Sequence, residues 1–164
     1  VYLYQTYADC GFNPATMPIA SLTTTEAEIS AMGCDVGEGH ITAASYFEGI
    51  GGARGADFAR RYKRAYGESE RTNMCVEAAY FQVKLFAKAL EQVNTLDPDV
   101  LRPVVLGTMV DAPQGPVTIN PVCGHANVWS RVGRCNSKGM FSIVYESSSE
   151  VVADPFMIGR PHMA

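Results

Sequence analysis

Two cysteine–histidine neighbourhoods are the places where this sequence could do covalent chemistry. Cys34 lies six residues before His40 and Cys123 two before His125, and a thiolate beside an imidazole base is the minimum a cysteine nucleophile needs. Neither pair sits in a recognisable nucleophile motif. His40 falls at the start of an expected strand, His125 beside a turn and His162 in the tail, so a Cys-His hydrolase ranks well below a binding role. No two histidines have helical ligand spacing with an acid between them, so no metal set is expected. Cys10, Cys34, Cys75, Cys123 and Cys135 contain no CxxC pair, and their odd number leaves at least one thiol free or paired between chains. Cys123 and Cys135 flank an expected strand and could meet across a hairpin, whereas Cys75 fits a helix face where a small buried hydrophobe would serve. The run Gly49-Ile-Gly-Gly-Ala-Arg-Gly55 invites a phosphate-cradle reading. Its glycines do not complete GxGxxG, however, and no GxxxxGK[ST] is present, so it reads as a flexible loop. No catalytic residue and no cofactor is expected.

The elements that must carry these residues alternate between strand and helix. Val1 to Cys10 has helical spacing and ends at Gly11, a usual residue just past a helix; Val1 looks like a cut inside a helix of a longer protein. Met17 to Leu22 reads as a short buried strand, and Thr25 with Glu28 has capping-box spacing for the helix that follows. Gly39 to Phe47 reads as a second buried strand, so the first part of the chain predicts a βαβ unit and a parallel sheet. A helix over Ala56 to Tyr66 is followed by a longer one over Asn73 to Val93. Val76, Ala79, Tyr80, Val83, Phe86, Ala87, Leu90 and Val93 form its apolar stripe, and Glu77, Lys84, Lys88 and Glu91 its other side. Asp97-Pro98 starts a short helix that Pro103 should kink or cut short. From Asp111 the texture turns to β-branched residues and turns, predicting antiparallel strands and a C-terminal hairpin around Asn136-Ser-Lys-Gly139.

The bulk numbers exclude several classes of function. With 164 residues and 47% hydrophobic content the chain can bury a real core. Thirteen Lys+Arg against 17 Asp+Glu, scattered apart from Arg60 to Arg64, do not make a nucleic-acid surface. No apolar run approaches the length of a membrane span, and no basic-then-apolar signal segment stands at Val1.

Several segments in order resemble the short-chain amide- and urea-binding branch of the type I periplasmic-binding family, including its amide-responsive regulator of an amidase operon. They are Pro18-Ile-Ala-Ser-Leu-Thr-Thr-Thr-Glu-Ala-Glu-Ile29, Glu38-Gly-His-Ile, Tyr46-Phe47, Glu77-Ala-Ala-Tyr80, Asp111-Ala-Pro-Gln-Gly-Pro-Val117 and Asp154-Pro-Phe156. The resemblance implies an α/β chain that is the C-terminal part of a bilobed receptor, with a parallel sheet core, a C-terminal antiparallel hairpin and a ligand held between lobes. It places 1–47 in the second lobe as a βαβ segment, 48–112 in the first as a helical segment, and 113–164 in the second again as hairpin and tail. An intact member would carry about two hundred further residues upstream, consistent with a two-domain size. The implied ligand is a small neutral amide or urea. The implied partner is an ABC transporter permease in the periplasm, or a regulatory protein if the chain is a cytoplasmic sensor. A homo-oligomer or a chain supplying the missing half would cover apolar surface left open. Gly49 to Gly55 departs from the family pattern and implies a more flexible crossing there; Cys123, Cys135 and Pro103 depart from it as well.

In open α/β sheets ligands bind outside the carboxyl ends of strands. Ser21, Leu22 and Thr23 follow the first strand, and Tyr46 and Phe47 follow the second. An amide needs hydroxyl or backbone groups for orientation and aromatic walls to exclude water, so these five residues are the expected ligand contacts. Ser21 and Thr23 to Thr25 also suit helix capping, and Tyr46 and Phe47 also suit core packing.

Overall fold

Short strands and amphipathic helices sort into two sheets, each covered by helices, in a computed structural model that describes residues 1–156. Helix α1 (Tyr2–Asp9) leads to strand β1 (Ala20–Ser21), helices α2 (Glu26–Met32) and α3 (Cys34–Gly37), and strand β2 (Ile41–Ala44). Helices α4 (Gly52–Tyr66), α5 (Met74–Val93) and α6 (Pro98–Val105) come next, then strands β3 (Met109–Ala112), β4 (Gly115–Ile119) and β5 (Ala126–Asn127). Strands β6 (Arg131–Cys135) and β7 (Phe141–Glu146) close the described fold. Among the described residues no helix is long and apolar enough to cross a membrane.

The main sheet runs β1-β2-β6-β7. Its parallel part is the expected β1–β2 pair, with Ala20 opposite Ile41 and Ser21 opposite Thr42. β6 and β7 extend it antiparallel, because a hairpin can feed a neighbouring strand directly whereas a parallel one needs a crossover. The β6–β7 hairpin is the one read from the Asn136 to Gly139 turn. Ile29, Phe47, Cys135 and Phe141 form the core between this sheet and α2. A second, smaller antiparallel sheet, β3-β4-β5, packs under α5 through Phe81, Leu85, Val110, Ala112, Val117 and Ile119. The chain therefore rejoins the main sheet at Arg131, since β4 pairs with β3, β5 pairs with β4, and neither pairs with β2.

Helix α5 keeps its expected length but turns a different face inward. Glu77, Phe81, Leu85 and Ala89, each four residues apart, are buried, while Val83 is 68% and Phe86 47% exposed. The helix carries two apolar stripes, and spacing alone does not say which one the β3–β4 layer takes. Asn73 caps it, its side chain accepting from the amides of Cys75 and Val76. Cys75 is exposed and not a core thiol. Pro103 lies inside α6, which nevertheless runs unbroken from Pro98 to Val105.

The glycine cluster is a packing device and not a slack loop. A Cβ on Gly51 would stand 1.9 Å from the Pro113 carbonyl oxygen, and one on Gly55 would stand 1.7 Å from that of Ile50. Gly51 also has φ +79°, which L side chains avoid. Gly51 lets the outgoing segment after β2 touch the returning segment after β3, Gly55 lets the first turn of α4 close over Ile50, and α4 starts at Gly52, earlier than expected.

Candidate functional site

The turn after β1 is built by its own hydroxyls. Ser21 Oγ accepts from the amides of Thr23 and Thr24 at 3.1 and 3.0 Å and donates to Thr24 Oγ1 at 3.0 Å. Thr24 Oγ1 also accepts from Tyr4 Oη, and its carbonyl accepts from Thr42 Oγ1 at 2.6 Å. Glu28 closes the start of α2, accepting from Thr25 N at 2.7 Å and Thr25 Oγ1 at 2.6 Å. The turn-building role anticipated for these hydroxyls thus occupies Ser21, Thr24 and Thr25. Leu22, at 70% exposure, stands clear of this network on the surface; Thr23 joins it only through its amide, and its exposed side-chain hydroxyl makes no hydrogen bond among the described residues.

Tyr46 and Phe47 correct the expectation that their rings form open walls. Both are fully buried by this chain's own side chains. Phe47 turns under α2 and stacks against Phe141 at 4.9 Å. Tyr46 lies edge-on to Phe58, with its hydroxyl 3.0 Å from Thr72 Oγ1. Thr72 spends its single proton on Glu48, so Tyr46 donates to Thr72. The core offers these rings more apolar area than a cleft edge would.

Two buried polar hubs, one tying the outgoing segment to α2 and to the start of α5 and one tying α5 to the returning segment, were assigned a role by neither spacing nor resemblance. Around Glu48, the carboxylate accepts from Lys63 Nζ, from Arg71 at 3.0 Å, and from Thr72 N and Oγ1 at 2.8 and 3.1 Å. Burial alone would raise its pKa, but these donors outweigh burial and hold it below the usual carboxylate range. Its own amide donates to Glu26 Oε1 at 2.9 Å, tying the head of α2 to this segment. Around Glu77, the carboxylate accepts from Gln114 Nε2 at 2.8 Å. The Gln114 carbonyl in turn accepts from Arg131 Nη2 at 2.9 Å. The signal available in the sequence was that Glu77 and Gln114 fall inside segments of family resemblance, where neither had been given a role.

Desolvation raises the pKa of Glu26 and of Glu77 to about 7 each, and the Glu26 Oε2 oxygen is buried with no hydrogen-bond partner among the described residues. Both groups prefer to be protonated in the fold. Their stabilisation is fully present below the unfolded value of 4.5 and is lost as pH rises through about 7. Desolvation moves His40 downward, so its contribution has the opposite sign: present above 6.5 and lost as pH falls through its lower folded value. With two carboxyls against one imidazole, urea midpoints should fall between pH 5.5 and 8, and Glu26→Gln should flatten that slope; an unchanged slope in the variant would contradict this assignment.

The cysteine–histidine neighbourhoods do not assemble a nucleophile and base. His40 Nδ1 accepts from the Ile19 amide at 2.9 Å, and His125 Nδ1 lies 3.1 Å from the Cys123 carbonyl and not its thiol. Cys123 and Cys135 are free thiols and do not meet across the hairpin. Cys123 reaches towards the Ala153 carbonyl, while Cys135 is in the core, its thiol pushed up to about 12 by burial. Among the described residues, no group of three His, Cys, Asp or Glu side chains could hold a metal ion.

Residues 1–162 match the family described as periplasmic binding protein domain. Similar solved structures include a solute binding protein of an ABC transporter from Rhodopseudomonas palustris BisB5 in complex with 3,4-dihydroxybenzoic acid. It has TM-score 0.80 at 20% identity, over 93% of this chain and 42% of that one. An amino acid ABC transporter substrate-binding protein from Pseudomonas fluorescens Pf-5 has TM-score 0.75 at 12% identity, over the same shares. A curated relative, limonene hydroxylase of Geobacillus stearothermophilus, is 24% identical over 126 residues, which is 77% of this chain and 23% of that protein. The chain thus spans less than half the length of these structures and about a quarter of the curated relative. At such identities the structural likeness establishes the fold.

Proposed function

The chain belongs to the periplasmic binding protein domain family, and from that premise we propose that it forms part of a solute receptor for a small neutral amide or urea, working by binding and not by catalysis. The observation that carries this reading is the surface turn at Leu22 and Thr23, where an unengaged hydroxyl stands at the carboxyl end of β1, the place where open α/β sheets take ligands. The charge of that region favours an uncharged guest. Residues 1–39 contain no Lys, Arg or His, and α2 begins with Glu26 and Glu28. A carboxylate ligand would find no cationic side chain from that stretch, whereas an amide can accept from one hydroxyl and donate to another. In this reading Leu22 and Thr23 touch the ligand, Ser21 shapes the turn, and Tyr46 and Phe47 support the strand end from behind.

The proposed partner is the membrane permease of an ABC transporter, which places the receptor in the periplasm. Residues 1–47 and the hairpin form one lobe and the helical stretch belongs to the other. A groove of about 720 Å³ along α4 and α5, lined by Tyr62, Tyr66, Val76, Tyr80 and Val83 among others, is the face that the remainder of such a receptor would cover. Without that cover it should drive self-association: light scattering of the isolated chain should report oligomers, and a clean monomer would count against this arrangement. Titration calorimetry of the native receptor carrying this chain should register acetamide or urea, and Thr23→Ala should weaken binding about tenfold, the loss of one hydrogen bond of roughly 1.4 kcal/mol. A signal for benzoate or a branched amino acid with silence from amides would move the ligand class. Full affinity in Thr23→Ala would remove this turn from the site.

A further inference from the structure

Arg131 touches more separate parts of the chain through its guanidinium than any site requirement above explains. It opens β6 and is 5% exposed. Its Nη1 donates to the Ser45 carbonyl, where the chain leaves β2 towards α4. Its Nη2 donates to the Gln114 carbonyl, where the chain returns from β3. Its Nε donates to Glu146 at the far end of β7, and its plane lies 5.5 Å over the Trp129 ring. Gln114 continues the path to Glu77 on α5 through its side-chain amide. One planar cation thus grips the outgoing segment, the returning segment and the edge strand together.

We propose that Arg131 is a positioning residue, a clamp whose fork fixes the attitude of the α4–α6 unit relative to the main sheet. The fork geometry is what the site uses. A lysine ammonium carries the same charge, but its compact head cannot reach three acceptors lying in different directions. Because the half-buried Ser45 carbonyl and the buried Gln114 carbonyl would lose this donor together, the two segments would be free to slide past each other at the Gly51–Pro113 contact. The Glu48 hub remains intact in that event, since none of its partners touches Arg131, so loosening is expected without unfolding.

The direct test measures the distance between spin labels on α5 at Gln82 and on β7 at Val144, both exposed, attached through a non-cysteine handle because the five thiols are native. Arg131→Lys should broaden the distance distribution markedly, and Arg134→Lys should leave it unchanged, since Arg134 binds the Gly39 carbonyl within the main-sheet unit. The environment of Trp129, the single tryptophan, should change its fluorescence in Arg131→Lys, while the near-ultraviolet dichroism of the folded chain persists. If Arg131→Lys fails to fold, Glu146→Ala, which removes only the Nε acceptor, should still broaden the distribution in the same sense. Unchanged distances in a folded Arg131→Lys, or in Glu146→Ala where that variant stands in, would overturn the clamp. A consequence for ligand affinity rests on the receptor reading. If loosening leaves about a tenth of molecules binding-competent, Kd rises about tenfold. A wild-type protein that binds no small solute would sink the receptor reading while the distances still decide the clamp.

Discussion

Replacing Phe47 with alanine is expected to lower the unfolding free energy by about 3–5 kcal/mol, the range for emptying a buried aromatic site. The ring is fully buried among Ile29, Cys135 and Phe141. Gly133 also packs against it, since a Cβ there would stand 3.0 Å from the Phe47 Cζ. Those neighbours sit on β6, β7 and α2, which are held by their own ladders and caps, so they cannot collapse into the gap. Phe47→Leu should cost clearly less, because it refills most of the volume. Urea denaturation of the two variants checks this, and equal small losses would show that the ring is dispensable to the core. The same packing makes Phe47→Ala a poor probe of ligand binding, since any loss of affinity would be mixed with a loss of folded protein.

Removing the Glu48 carboxylate should be the other large effect. Glu48→Ala leaves the Thr72 amide without its acceptor and takes the counter-charge from Lys63 and Arg71. Breaking a buried pair by deleting one partner costs about 3–5 kcal/mol when the remaining charge stays buried. Here the Lys63 and Arg71 side chains are 20% and 34% exposed, so both can turn towards water, and a loss near the lower end, about 3 kcal/mol, is the expectation. Glu48→Gln should recover part of it, because its amide oxygen still accepts from Thr72. Denaturant midpoints for the three proteins should rank wild type, Gln, Ala. A Glu48→Gln protein as weak as Glu48→Ala would mean that the charge, and not the acceptor, carries the hub.

The elements with strong local rules were legible in the sequence. The Asn73 cap, the Asp97-Pro98 start, the Thr25 and Glu28 pairing and the Asn136 to Gly139 turn each rest on a few neighbouring residues. The segments of resemblance pointed to the family that the match over 1–162 establishes. What stayed hidden depends on partners distant in sequence. The buried face of α5 is chosen by β3 and β4, more than twenty residues away, and both of its stripes are apolar. Tyr46 and Phe47 are aromatic at a strand end, which suits a cleft or a core equally. α2, Phe141 and Thr72 decide for the core. Glu48, Glu77 and Arg131 look like ordinary charged residues until the fold closes over them, because only the tertiary structure removes their water. The glycines between 49 and 55 read as slack locally, yet Gly51 and Gly55 are needed by the Pro113 and Ile50 carbonyls pressed against them.

Amide chemical-shift mapping of the native receptor, titrated with acetamide and with urea, is the most direct measurement of the central claim. The account predicts saturable shifts concentrated at Ser21, Leu22 and Thr23, with little movement at a second groove, lined by Phe86, Leu101 and Val122 among others. Saturable shifts elsewhere with that turn unmoved would contradict it.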